Sequence, residues 1–155
     1  MRAKSGGPVA VGIAIATAWR MCAHRYEDLD VWQLANELKV KTYELIDKTS
    51  ARHDFKFRDQ LRDSLSSATV NIAEGFGYYD HPLFAKHVRV AIASEMETLN
   101  HLDDGIQRRH WSADAVSPLK HLARRAIRAA TSFLRYLETS EAPHKWEKRG
   151  PRRRR

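Results

Sequence analysis

At 155 residues, the chain has the length of one domain that can bury a core of its own. It has a single cysteine, Cys22, which excludes an internal disulfide and fits a reducing compartment such as the cytoplasm. The sequence contains no run of about 18 apolar residues, so we expect no membrane-spanning helix. Of the 27 Lys and Arg residues, seven lie in residues 144–155 and four in residues 1–25, whereas only one of the 19 Asp and Glu residues lies in these two ends. The part of the chain between the two ends therefore has 16 basic and 18 acidic residues. The net charge of +8 is therefore a property of the ends of the chain.

The first 20 residues allow two interpretations. The stretch "MRAKSGGPVAVGIAIATAW" combines two early cations, a short apolar run and an Ala16-Thr17-Ala18 triplet, a pattern typical of a weak secretory signal. Alternatively, translation starts at Met21 and the preceding residues are an upstream extension or a disordered arm. In either case, we expect residues 1–25 to lie outside the folded domain.

Four amphipathic helices are predicted in the body of the chain. The first runs from Asp30, which can cap it, to Thr49, with either Thr42 or Tyr43 completing its apolar stripe. The second runs from about Phe55 to Glu74, and we expect two glycines, Gly75 and Gly77, to end it. The apolar residues of these two stripes, spaced three or four apart, are Val31, Ala35, Leu38, Ile46, Phe57, Leu61, Leu65, Ala68 and Ile72.

The third predicted helix starts at Asp80 or His81, with Pro82 in its first turn, and ends near Arg108 and Arg109. The fourth has the most regular stripe, and Pro118 leaves two alternatives: either Pro118 lies inside the helix, or the regular part begins only at Ser117, after a separate or kinked turn. The apolar positions of these two helices are Phe84, Val88, Ala91, Ile92, Leu99, Leu102, Ile106, Val116, Leu119, Ala123, Ala126, Ala130, Phe133 and Leu137.

Four helices of about 20 residues or more with short connections predict an all-α protein, an antiparallel up-down four-helix bundle over residues 26–141. Residues 142–155, which end in "RGPRRRR", form a basic tail that composition predicts to be disordered.

Three segments resemble the four-helix-bundle family encoded in intervening sequences of 23S ribosomal RNA genes. They are "YEDLDVWQLANEL", "QLRDSLSSATVNIAEGFG" and "FAKHVRVAIASEMETLNHLDDG". The resemblance implies a homopentamer without assigned catalytic residues. The chain also resembles the accessory protein of diversity-generating retroelements. This second resemblance implies a basic surface that binds nucleic acid and a reverse transcriptase as partner.

One polar row on the second predicted helix is made of short side chains. Its members recur at steps of three and four residues, so that they share a face next to the apolar stripe. Small residues allow another helix to approach closely, and the last carboxylate needs a donor, such as an Arg or Tyr78, because it faces the negative end of the helix dipole. We therefore expect a helix or subunit seam or a structural motif at Gln60, Ser64, Ser67, Asn71, Glu74 and Gly75, with an ordinary wetted face as the alternative.

Enzyme and metal chemistry find little support in the sequence. One carboxylate without a partner is weak evidence for acid–base catalysis, so we expect no catalytic residues, no metal site and no cofactor. The only Glu-x-x-His spacing, from Glu141 to His144, spans Pro143 and does not fit the helical di-iron pattern.

Basic side chains on the fourth helix and in the tail predict contacts with the phosphates of RNA or DNA. An ordinary solvated face explains the helical part equally well. We interpret the protein as a cytoplasmic, non-enzymatic accessory or scaffold oligomer that binds nucleic acid, with a protein-binding adaptor without a nucleic-acid role as the alternative. The candidate residues are Lys120, Arg124, Arg125, Arg128, Arg135, Lys145, Trp146, Lys148, Arg149, Arg152, Arg153, Arg154 and Arg155.

Overall fold

The computed structural model of the protein describes residues 23–78 and 80–140. This part of the chain is all-α: it holds four helices and two short 3₁₀ turns, and no strand. The helices are α1 (Asp30–Lys48), α2 (Phe55–Gly77), α3 (His81–Gln107) and α4 (Ala113–Thr139), and the 3₁₀ turns are Tyr26–Asp28 and Ser50–His53. The four predicted helices and the all-α class are confirmed. Cys22 and the rest of residues 1–22 lie outside the described part.

Side-chain caps set the starts of three helices. Asp54, Asp80 and Ser112 each accept a hydrogen bond from a backbone N–H three residues further on, at the starts of α2, α3 and α4. The expectation that Asp30 caps α1 is wrong. Leu29 occupies the cap position without a side-chain bond, and Asp30 is the first helical residue, where its charge suits the helix dipole.

Pro118 lies inside one continuous α4, so the first of the two alternatives is confirmed and a regular helix beginning only at Ser117 is excluded. The helix begins at Ala113, whose cap residue Ser112 holds the first turn in place. Pro118 is the sixth helical residue, so its missing N–H removes one backbone hydrogen bond near the helix start.

The end of α3 turns sharply beneath an indole ring. Arg109 adopts a φ of 63°, and the His110 N–H donates to the Gly105 carbonyl at 2.9 Å, as in a Schellman motif. A Cβ on Gly105 would lie 2.1 Å from the Trp111 ring, so only glycine fits under the buried indole. The connection to α4 is thereby held by both backbone and side-chain packing.

The buried apolar residues form two clusters along the bundle. In the first cluster, Val31 near the start of α1 and Val88 near the start of α3 meet Ile72 and Phe133, which lie toward the ends of α2 and α4. The second cluster reverses this pattern: later residues of α1 and α3 meet earlier residues of α2 and α4. Each cluster thus draws on all four helices.

The predicted apolar stripes account for most of this core. All seven predicted positions on α4 and all five on α2 are buried. On α1, Thr42 completes the stripe, because its side chain is fully buried while Tyr43 is only half-buried. On α3, Ile92, Leu99 and Ile106 are half-buried at the edges of the two clusters.

Each helix packs against two others: α1 against α2 and α4, and α3 against α2 and α4. In residues 23–78 and 80–140, none of the helices has the combination of length and apolar character that crossing a lipid bilayer requires.

Candidate nucleic-acid interface

Three arginines form a line on the outward face of α4. Arg124, Arg128 and Arg135 are exposed, and their spacings of four and seven residues place them on one side of the helix. Within the described part of the chain, none of the three forms an ion pair, in contrast to Arg89, which pairs with Glu138 of α4. Their charges are therefore available to an external partner.

The neighbouring cations of the predicted stripe differ in their surroundings. The Lys120 ammonium lies 2.5 Å from the Asp103 carboxylate of α3, and the Lys120 side chain is only 22% exposed. This ion pair neutralises Lys120 and ties α4 to α3. Arg125 is exposed but lies about 100° around the helix from Arg124, so it borders the arginine line instead of extending it.

The arginine line has a length suited to a nucleic-acid backbone. From Arg124 to Arg135 the helix rises about 16 Å at 1.5 Å per residue. Guanidinium groups over this distance can reach several successive phosphates, each through charge-assisted hydrogen bonds. The other predicted contacts lie outside the described residues; they are Lys145, Trp146, Lys148, Arg149, Arg152, Arg153, Arg154 and Arg155.

The short polar row of α2 lies along its interface with α3. The Ser64 and Thr98 hydroxyls are 2.9 Å apart, and the Ser94 hydroxyl donates to Ser67 at 2.8 Å. One turn further on, the Asn71 carbonyl oxygen lies 3.1 Å from His87 Nδ1. These three contacts link the helices where small side chains allow a close approach.

The two ends of the row are more exposed. Gln60 is exposed at the start of the row. Glu74 has a side chain that is 58% exposed, and its carboxylate lies 3.6 Å from His87 Nδ1. The neighbour of Glu74 is thus His87, where an Arg or Tyr78 was expected. Tyr78 instead stacks on the His87 ring, with the ring centroids 5.3 Å apart.

The expectation that the two glycines end α2 is confirmed for Gly77, which is the last helical residue, and is wrong for Gly75, which lies inside the helix. Neither glycine adopts the left-handed conformation common at helix ends, because no described glycine has a positive φ. Gly75 instead makes room for α3. A Cβ at Gly75 would lie 2.3 Å from Phe84 Cδ2, whereas a Cβ at Gly77 would meet nothing within 4 Å. Gly75 therefore belongs to the α2–α3 contact and Gly77 does not.

One buried acid escaped the sequence analysis. Glu95 of α3 is 1% exposed, and neither carboxylate oxygen has a hydrogen-bond partner. Burial raises the pKa of Glu95 to about 8, so the folded protein holds it largely as the neutral acid at pH 7. Its spacing in the sequence indicates burial, because Glu95 lies four residues after Ala91 and seven before Leu102, and both of these belong to the apolar stripe of α3.

No arrangement of the described side chains indicates a metal centre. Within residues 23–78 and 80–140, no three His, Cys, Asp or Glu side chains come together where they could hold an ion. Glu97 and His101 approach each other to 3.6 Å on one face of α3 and form only a pair.

Comparison with known protein families identifies a match over most of the described residues. A family model described as "23S rRNA-intervening sequence protein" matches residues 27–132, which contain nearly all of the four helices. Neither the curated proteins nor the solved structures that were searched gave a match.

Proposed function

Because the chain belongs to the 23S rRNA-intervening sequence protein family, we propose that it is a non-enzymatic accessory or scaffold protein that binds RNA or DNA through the outward face of α4. The observation that carries the proposal is the line of Arg124, Arg128 and Arg135, exposed and without ion pairs in the described part of the chain. On a domain whose body is slightly acidic, three unpaired arginines on one helix face favour a phosphate ligand.

The arrangement of the bundle supports presentation of this face. Each core cluster joins the starts of two helices to the ends of the two others, which favours an antiparallel up-down order of α1 to α4. In that order α4 lies at one side of the bundle between α1 and α3, so its remaining face is free to contact a long ligand.

We further propose that the protein acts as a homopentamer, as its family resemblance implies. The outer edge of the α2–α3 interface offers a surface for self-association: Val70 and Val90, on the turns next to the Ser67–Ser94 hydrogen bond, are 47% and 43% exposed. Five copies would present five arginine lines, and such multivalency increases the avidity of individually weak phosphate contacts. The resemblance also extends the proposal to a reverse transcriptase as protein partner, in the cytoplasm.

A second candidate function rests on the same apolar edge. Tyr78 and Leu83 are also exposed beside the α2–α3 interface, and exposed apolar side chains grouped in this way are typical of protein-binding surfaces. In this alternative the protein is an adaptor that recruits another protein, and the arginines of α4 only keep it soluble.

Replacing the three arginines tests the proposal. The triple variant Arg124→Gln, Arg128→Gln and Arg135→Gln of the full chain removes three unpaired charges from α4. The matched control, Lys41→Gln, Lys48→Gln and Arg62→Gln, also removes three positive charges, but from side chains paired with Glu37, Glu44 and Asp47. Fluorescence anisotropy with labelled RNA and DNA measures the affinity, and circular dichroism confirms that both variants fold.

We expect the α4 variant to lose roughly tenfold or more in affinity at 0.1 M salt and the control to lose much less, because the α4 charges are free to neutralise phosphates whereas the control charges are already paired. Equal losses in the two variants would mean that net charge alone drives binding. The adaptor alternative is favoured if the wild-type protein binds no nucleic acid.

A further inference from the structure

Two connections of the bundle meet at a charged end that the sequence analysis did not single out. The connection between α1 and α2 contributes Ser50 and Asp54, and the connection between α3 and α4 contributes His110. His110 Nδ1 lies 2.9 Å from the Ser50 hydroxyl and His110 Nε2 lies 3.2 Å from the Asp54 carboxylate. Arg108 also donates to Asp54, at 3.2 Å, so the two connections form one surface.

The Asp54 carboxylate has three hydrogen-bond partners at this end of the bundle. Burial opposes its ionisation, but the hydrogen bonds from His110 and from the Phe57 N–H, together with the Arg108 charge, lower the pKa of Asp54. Residues 49–58 and 108–112 contain five Lys or Arg residues, and Asp54 is their only acid. Asp59 and Asp104, which border these ranges, pair with Arg58 and Arg108 and still leave the surface with a net positive charge. Residues 23–29 differ, because Arg25 is outnumbered there by Glu27 and Asp28.

An aromatic ring stands open in this basic surface. Phe55 is 64% exposed, more than any other large apolar side chain in the described part of the chain. The Arg58 guanidinium lies 4.9 Å from the Phe55 ring centroid and is itself fixed by hydrogen bonds to the Asp59 carboxylate and the Arg52 carbonyl. The Arg58 side chain thus orients the Phe55 ring and holds it in place at the surface.

The cations around Phe55 are partly free. Within the described residues, neither Arg52 nor Lys56 forms an ion pair, although Arg52 donates to His53 Nε2 at 2.8 Å. An apolar protein partner would need a contiguous apolar patch, and no other exposed large apolar side chain occurs in residues 49–58 or 108–112. A lone aromatic ring among cations instead suits a ligand with flat apolar faces and a negative backbone.

We propose that Phe55 is a stacking site for an unpaired base of single-stranded nucleic acid, with Arg52 and Lys56 holding the adjacent phosphates. This inference rests on the proposed nucleic-acid function and specifies the form of the ligand. A base in a duplex is stacked on both faces by its neighbours and does not offer a face to Phe55, so the site distinguishes single strands from duplexes.

Substitution of Phe55 in the full chain tests the inference. Phe55→Leu keeps an apolar side chain but removes the aromatic face, and Phe55→Trp keeps an aromatic face. Affinities of the wild type and both variants are measured by anisotropy for oligo(U) and oligo(dT) of 20 nucleotides and for a mixed-sequence DNA duplex of 20 base pairs. We expect Phe55→Leu to weaken single-strand binding about five- to a hundredfold, to leave duplex binding unchanged, and Phe55→Trp to retain the wild-type affinity.

Two results overturn the inference alone: single-strand affinity that Phe55→Leu leaves unchanged, or a loss that is the same for single strand and duplex. Failure of Phe55→Trp to retain binding overturns it too, because shape and not the aromatic face would then matter. If only the triple arginine variant of α4 loses affinity, the proposed function stands without the stacking site. If the wild-type protein binds neither single strands nor duplexes, both the stacking site and the proposed nucleic-acid function are overturned.

Discussion

The α2–α3 interface and the outward face of α4 both carry polar side chains, but they use them differently. In the interface, Ser67 and Ser94 bond each other, and Asn71 contacts His87. On α4, Arg124 and Arg128 point outward without an ion pair in the described residues. A polar group that is paired inside the fold contributes to stability, whereas an exposed charge that is unpaired contributes little to stability and is free to bind.

This difference separates structural from functional candidates where sequence spacing does not. Both sets of residues have spacings that place them on one face of a helix, steps of three and four in the α2 row and of four and seven in the arginine line. What distinguishes them is whether their polar groups have partners inside the fold. Changes in the first set should therefore alter the free energy of unfolding, and changes in the second should alter binding alone.

The largest expected effect concerns Glu95, a polar group with neither a partner nor contact with water. Its ordinary pKa of 4.5 applies in the unfolded chain, and burial raises it to about 8 in the folded protein. Between these values the folded state keeps a proton that the unfolded state has lost, so stability is greatest below pH 4.5, as far as this group is concerned, and falls as the pH rises toward 8. The loss is at most about 5 kcal/mol.

Glu95→Gln should abolish this part of the pH dependence, because an amide does not ionise. Urea unfolding of the wild type and the variant between pH 5 and pH 8 measures it. Asp63→Asn, at an exposed acid of α2 that forms no ion pair within the described residues, is the control and should follow the wild type. Parallel pH profiles for wild type and Glu95→Gln would show that Glu95 ionises normally in the folded state.

The next effect sharpens the contact between α2 and α3. Gly75→Ala should lower the free energy of unfolding by about 1–3 kcal/mol, because the new methyl group overlaps the Phe84 ring. Gly77→Ala is the control on the same helix. It meets no neighbour and should be neutral or stabilising by up to about 1 kcal/mol, because alanine is the better helix former. Thermal unfolding that ranks the two variants in the opposite order would contradict the close approach at Gly75.

A smaller effect is expected from the hydroxyl pair. Ser67→Ala and Ser94→Ala, singly and together, form a double-mutant cycle whose coupling free energy should be about 1 kcal/mol. The control is Thr131→Ala on the outward face of α4, where, among the described residues, the hydroxyl bonds only to the carbonyl of Ile127 in its own helix. Zero coupling between the two serines would place this part of the row with ordinary wetted surfaces.

The fold could largely be predicted from the sequence, because helical periodicity is a local property. The stripes of α2 and α4 follow from residues within a few positions of one another. The expectation for Gly75 was wrong because a distant residue decides the outcome. A glycine at this position is typical of a helix end, but contact with Phe84, nine residues later, gives Gly75 a packing role inside α2, two residues before the last helical residue.

The candidate sites were less accessible to sequence analysis for the same reason. Asn71 and His87 are 16 residues apart, and Lys120 is neutralised by Asp103, which lies 17 residues before it. The charged end around Phe55 is formed by connections more than 50 residues apart. None of these pairs has a periodic signature, so the sequence predicts the faces of the helices but not which polar residues meet across them.

The salt dependence of nucleic-acid binding tests the central claim most directly. Affinities of the full-length wild type, the triple arginine variant of α4 and its matched control are measured from 50 to 200 mM salt. Loss of three phosphate contacts should reduce the slope of log affinity against log salt concentration by about 2 to 3 in the α4 variant and leave it nearly unchanged in the control. A slope that is the same in all three proteins would contradict a phosphate-binding role for the outward face of α4.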